Sequence, residues 1–146
     1  TFEIIPWIKE VSKLPVLVKG ILRPDDALLS FKHGADGVII SNHGGRQLDT
    51  ATPTLKQIEP IRKEVGKEKL IIVDGGIRRG TDILKCIALG ANAVQIGRPI
   101  LWGLNYRGQE GVSLVLDILL KEFTETMVLT GCRNLNEITR DLVREA

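Results

Sequence analysis

The chain has 146 residues, 43% of them hydrophobic and 26% charged, and a formal net charge of +2. That length suits one domain able to bury a core. The near-neutral charge and 4% aromatic content exclude a basic nucleic-acid footprint and a base-stacking platform.

Two cysteines and two histidines are too few and too scattered for a metal centre, and no apolar run approaches the roughly 20 residues of a membrane span. The N-terminal TFEIIPW has neither a leader layout nor an initiating Met, so the chain is expected to be a piece of a longer protein. Its end, Arg144-Glu145-Ala146, carries no peroxisomal tripeptide of the Ser-Lys-Leu type.

In chain order, the pattern predicts a helix over 4–13, a strand over 15–20 (PVLVKG), a helix over 24–34, and a strand over 36–42 (DGVIISN). A helix over 52–66 follows, then a strand over 69–76 (KLIIVDGG), a helix over 80–90, a strand over 92–97 (NAVQIG), and a final helix over 112–131. The strands are β-branched and do not alternate polar with apolar, as expected of a parallel sheet covered on both faces. Pro24 or Asp25, Thr52 and Thr81 are candidate helix starts, and Gly34, Gly66 and Gly90 candidate stops. Along the last helix, Leu114, Leu116, Ile118, Leu119 and Phe123 have the spacing of a buried face. Cys86, inside DILKCIALG, is expected to be a buried thiol; His33 should serve a helix C-terminus; Arg62-Lys63-Glu64 suits a solvated helix end.

The segments KGILRPDDALLSFKHGADGVIIS and GGIRRGTDILKCIALGANAVQIG echo one another, with Gly20 on Gly76, Arg23 on Arg79 and Asp26 on Asp82. Repeated βα units imply a repeating parallel α/β architecture. Four such units equal half of an eight-fold barrel, and they equally suit a small open sheet.

In βα barrels functional groups gather where strands end. Here those ends carry Lys19, then Ser41 to Arg46, then Asp74-Gly75-Gly76-Ile77-Arg78, then Gly97-Arg98. The DGGIR and GR loops combine glycines, consecutive backbone N–H groups and cations, the ingredients of a phosphate cradle; tight βα turns alone also use such glycines. Lys19 follows VLV directly, so its ammonium faces either an anionic ligand or solvent. His43 is suited to accept a proton near neutral pH, and Arg46 to hold a carboxylate through two parallel hydrogen bonds. A lone His-x-x-Arg equally suits a solvated loop.

Together, LPVLVKGI, SNHGGRQLD, DGGIRRGTD and IGRPILWGL closely resemble the FMN-dependent 2-hydroxy-acid oxidases, the family of glycolate oxidase and L-lactate oxidase, and WGL looks most like its animal members. The resemblance covers essentially the whole chain. It implies a TIM (βα)8 barrel of which residues 1–146 form the C-terminal half. It also implies FMN as cofactor, a small (S)-2-hydroxy acid as substrate, and O2 reduced to H2O2. By this resemblance Lys19 would lie near the flavin N1/O2 edge and Ser41 would hydrogen-bond the flavin. Asp74, Gly75, Gly76, Ile77, Arg78, Gly97 and Arg98 would hold the ribityl-phosphate end. His43 would act as base, and Arg46 would clamp the substrate carboxylate. The resemblance also points to peroxisomes. The other half of such a barrel supplies substrate-contacting tyrosines and the aspartate that orients the histidine; Tyr106 matches no such role. The half barrel is therefore expected to associate through its open apolar face, as a homo-oligomer or with a partner. The competing readings are a catalytically incompetent half barrel that binds FMN or a partner chain only, and a different FMN-phosphate barrel such as an IMP dehydrogenase-like protein. The His43/Arg46 pair disfavours the last.

Overall fold

The computed structural model describes residues 1–144; the Glu145-Ala146 end of the terminal tripeptide lies outside the described residues. The elements run α1 (Ile4–Ser12), β1 (Leu17–Ile21), α2 (Pro24–Lys32), β2 (Gly37–Ile40), α3 (Leu55–Val65), β3 (Leu70–Val73), α4 (Gly80–Ala88), β4 (Ala93–Val94) and α5 (Arg98–Leu129). The strands form one sheet in the order β1-β2-β3-β4 with every pair parallel. Each strand thus delivers its C-terminal end to the same side of the molecule.

The core explains why these runs become strands. Val38, Ile40, Ile71 and Val73 pack with Ile58 and Ile61 of α3, Ala27 of α2 and Cys86 of α4 in one buried cluster. Fully burying a side chain of this size contributes roughly 2 kcal/mol. Cys86 is the inert thiol expected: burial pushes it up to about 12. The alternate positions Leu17, Lys19, Ile39, Leu70 and Ile72 turn to the opposite face. There a Cβ on Gly37 would lie 3.0 Å from Leu70 and 3.2 Å from Leu17, so the bare glycine lets its neighbours close over it. β1 contains a bulge: Lys19 pairs with Ile39 but Ile21 pairs with Ile40, leaving Gly20 extra at φ 96°. The bulge keeps Lys19 on the open face while returning Ile21 to the core.

Several sequence expectations need correction. β4 spans only Ala93–Val94, although Asn92 and Gln95 extend its ladder through N–H bonds to Ile71 and Val73 carbonyls. The last helix begins at Arg98 and bends back at Arg107-Gly108, whose backbone is not helical. Gly103 and Gly111 make the bend possible: a Cβ on Gly111 would sit 1.9 Å from the Gly103 oxygen, so the two arms touch backbone to backbone. Leu114, Leu116 and Ile118 are exposed, and Leu119 alone of the expected stripe is fully buried, with Phe123 partly so. Thr52 and Thr81 are not the caps of their helices; Thr54 and Arg79 occupy those positions. Arg62 is no solvated residue. Its guanidinium donates to the carbonyls of Gly90, Gly66, Lys67 and Lys69 and to Asn92 Oδ1, and burial lowers its pKa. It ties the end of α3 to the loops that start β3 and β4. His33 behaves as expected, its Nδ1 lying 2.9 Å from the Leu29 carbonyl oxygen near the end of α2.

Candidate active site

All four strand ends contribute to one rim. β2 ends at Ile40, and the buried Ser41 follows it. Ser41 Oγ accepts from Lys19 Nζ at 2.8 Å and from the His43 N–H at 3.1 Å. With both lone pairs filled, the capacity left to this hydroxyl is to donate its own proton. Asn42 Oδ1 accepts from the Gly44 N–H at 3.0 Å, closing a turn in which His43, Gly44 and Gly45 all have positive φ (56°, 67° and 72°). A non-glycine residue in this region is uncommon and concentrates at functional sites. The turn leaves His43 exposed just beyond the end of β2.

Lys19 Nζ also reaches across β2 to an Asp74 carboxylate oxygen at 2.8 Å; the two side chains are 44% and 17% exposed. The ammonium is thus neither free in solvent nor reserved wholly for a ligand. The second oxygen, Asp74 Oδ1, is buried without a hydrogen-bond partner among the described residues. A buried acceptor left unmade costs about 1–3 kcal/mol, so this oxygen marks a place for a donor from outside the chain.

The glycine loop after β3 divides into two parts. Asp82 accepts from the N–H groups of Arg78 and Arg79, both at 2.9 Å, and Glu122 of α5 accepts from the Gly80 N–H at 2.9 Å. The N-terminus of α4 is therefore already satisfied by the chain's own carboxylates. The N–H groups of Gly75, Gly76 and Ile77 have no acceptor among the described residues, and those that open α5 at Gly97-Arg98 lack intrahelical partners. At both Gly76 and Gly97 the space a Cβ would enter is open. An anion is thus steered to the Gly75–Ile77 loop and the start of α5.

A cavity of about 570 Å³ collects these groups: His43, Arg46, Asp74, Gly75, Gly76, Ile77, Arg78, Gly97 and Arg98 all line it. Lys19 and Ser41 line a neighbouring hollow of about 440 Å³, and His43 forms a wall of both. Arg46, Arg78 and Arg98 form no salt bridge among the described residues, so three guanidinium groups face one cavity uncompensated. Gln95, Ile100 and Leu101 also line the cavity; the first lay hidden inside a predicted strand, and the other two in a segment whose pattern predicts no helix at 98. The same segment hid Trp102, whose ring centre lies 5.1 Å from the Arg78 guanidinium carbon. The alignment of Asp26 with Asp82 in the internal echo was a signal for the carboxylate that closes the α4 turn.

A family model described as FMN-dependent dehydrogenase matches residues 1–145. The chain belongs to the FMN-dependent dehydrogenase family. It is 51% identical over 143 residues to a 2-hydroxyacid oxidase of Dictyostelium discoideum, covering 98% of this chain and 37% of that protein. It is 49% identical over 140 residues to the peroxisomal (S)-2-hydroxyacid oxidase GLO3 of Arabidopsis thaliana, covering 96% and 39%. Among solved structures, a mandelate oxidase variant holding a monooxide FMN adduct superimposes with TM-score 0.92 at 43% identity, over 96% of this chain and 45% of that one. A lactate oxidase from Pediococcus acidilactici does so with TM-score 0.93 at 38% identity, over 97% and 39%. The chain therefore spans about two fifths of the length of the curated relatives it matches, and its four-stranded parallel sheet is part of a TIM barrel. The residues present fit the family's cofactor: an orphaned buried oxygen on Asp74, free loop N–H groups and unpaired cations suit a polyol phosphate.

Proposed function

We propose that residues 1–146 form the C-terminal half of an FMN-dependent hydroxy acid dehydrogenase barrel, and that the protein oxidises a small (S)-2-hydroxy acid to the 2-oxo acid while O2 becomes H2O2. The observation that carries this reading is the convergence of His43, Arg46 and the glycine loops on one cavity with three guanidinium groups that form no salt bridge among the described residues. The named activities of the relatives support the reaction class.

Bound there, FMN would supply the acceptor for the two electrons leaving the substrate. The chain's own residues divide the remaining work. The N–H groups of Gly75, Gly76, Ile77 and Gly97, with the Arg78 and Arg98 side chains, hold the phosphate. Asp74 Oδ1 accepts from a ribityl hydroxyl. Ser41 donates its O–H to the flavin ring, and Lys19, held by Ser41 and Asp74, offers positive charge at the ring edge. Arg46 grips the substrate carboxylate through two parallel bonds and so orients C2. His43 takes the proton released as the C2 alcohol becomes a carbonyl. Per turnover, the alcohol loses two electrons and two protons, and O2 gains both.

A second reading has one observation in its favour: no hydrogen bond to the His43 ring exists among the described residues. A base without an orienting partner is a poor catalyst, so the chain by itself would hold FMN and turn over slowly, with a partner seated on the open sheet face completing the site. A peroxisomal location is supported by that relative's name. The test is equilibrium dialysis of the purified chain against FMN, repeated with phosphate as competitor. Retained yellow protein, displaced by phosphate, supports the site. A colourless protein rejects it.

A further inference from the structure

The Arg78 guanidinium is the odd cation of the cavity. Arg98 stands at the start of α5 and takes its direction from that helix. Arg78, in contrast, sits on a loop, where an arginine side chain has many rotamers to lose. One of its N–H groups donates to the carbonyl of its own neighbour Ile77 at 2.9 Å, which folds the side chain back. Its central carbon then lies over the Trp102 ring, 5.1 Å from the ring centre. Trp102 belongs to the first arm of α5, one turn beyond Arg98, and is 57% exposed. An indole this exposed among the described residues contributes little to their core, and its ring faces the cation.

We propose that Trp102 is a positioning residue for the cofactor phosphate: its ring stacks on Arg78 and holds that guanidinium over the Gly75–Ile77 loop. The inference rests on the phosphate-site reading given above. The ring contact uses up no donor of the guanidinium, and with one N–H given to Ile77 the remaining N–H groups are left to present to a phosphate. Trp102 does this without competing for the anion, since a tryptophan ring offers its negative face to the cation and no acceptor lone pair. Because Gly97 caps α5 and Arg98 begins it, one helix sets two of the phosphate's donors directly and a further one through Trp102.

The prediction concerns phosphate specifically, so riboflavin, which has the ring and ribityl chain but no phosphate, is the control. Binding of FMN and of riboflavin to the full chain is measured by titration calorimetry for the wild type, Trp102→Leu, Trp102→Phe and Arg78→Met. Trp102→Leu should weaken FMN binding roughly fivefold, the scale of an exposed cation–π contact, and leave riboflavin binding unchanged. Trp102→Phe should recover most of the loss, since it keeps a ring face. In the Arg78→Met background Trp102→Leu should have no further effect. Equal weakening of both ligands by Trp102→Leu, or an additive loss in the double variant, overturns the proposal. Wild-type chain that binds FMN no better than riboflavin overturns the phosphate site itself, and the proposal with it.

Discussion

Lys19 and Asp74 meet across an intervening strand: the ammonium bonds one carboxylate oxygen at 2.8 Å, and the other oxygen is buried with nothing among the described residues to accept from. The pair joins the first strand end to the third, and Ser41, just after the second, also holds Lys19 through its hydroxyl. It is a structural link with one valence left open.

Asp74→Asn should therefore separate folding from binding. The partly exposed ion pair contributes about 1 kcal/mol or less to stability, so the urea midpoint should move little. Binding of FMN should weaken by roughly tenfold or more, the scale of a hydrogen bond to a charged group. A large stability loss with unchanged FMN affinity would contradict the role given to the open oxygen.

Gly80→Ala tests the contact between the glycine loop and α5. A Cβ at Gly80 would lie 2.1 Å from the Phe123 backbone nitrogen, and backbone cannot step aside as a flexible side chain can. The cost should reach about 3 kcal/mol. Thermal unfolding followed by circular dichroism should show a midpoint lower by roughly 10 °C; a shift within experimental error would show that the two elements separate freely.

Arg62→Lys should fail to replace arginine. The guanidinium serves five oxygens with a planar fork, and an ammonium with three donors cannot reach them all. A loss of about 2–3 kcal/mol is expected, read as a lower denaturant midpoint in Arg62→Lys and Arg62→Ala alike. Full rescue by lysine would mean that charge, and not the fork, matters there.

Glu122 gives a pH signature. The Gly80 N–H bond, and then Arg79, hold its carboxyl below the ordinary value of 4.5. A folded-state pKa below the unfolded one contributes stability that is fully present above 4.5 and is lost as pH falls from there through the depressed folded value. Urea midpoints between neutral pH and pH 3 should thus fall more steeply for the wild type than for Glu122→Gln, and the gap between them should narrow in acid. Parallel curves would remove Glu122 from the account of acid unfolding.

What was legible in the sequence was whatever local pattern controls. The β-branched runs and their glycine stops named the sheet, and the strand-end positions of His43, Arg46 and Asp74 named the cavity. What escaped depended on distant partners. Arg62 looked like surface because its acceptors, at Gly66–Lys69 and Gly90–Asn92, arrive only through the fold. Leu114, Leu116 and Ile118 looked like core because helical spacing shows that a stripe exists without showing what covers it. The extension of α5 back to Arg98 was hidden by Gly103, Gly108 and Gly111, which resemble loop residues but serve the close crossing and the bend. The bulge at Gly20 has no signature beyond the glycine itself, since a strand and its bulge differ only in how the neighbouring strand pairs.

If cofactor binding and proton transfer reside on different residues of the same rim, anaerobic flavin reduction will separate them. The FMN-loaded chain is mixed without oxygen with an (S)-2-hydroxy acid such as L-lactate or glycolate, and the loss of flavin colour is followed for the wild type and for His43→Gln. Both proteins should retain FMN, and the variant should bleach more slowly by roughly 10²–10⁴-fold, the usual worth of a positioned general base. Equal bleaching rates in the two proteins, or loss of FMN from His43→Gln, would contradict it.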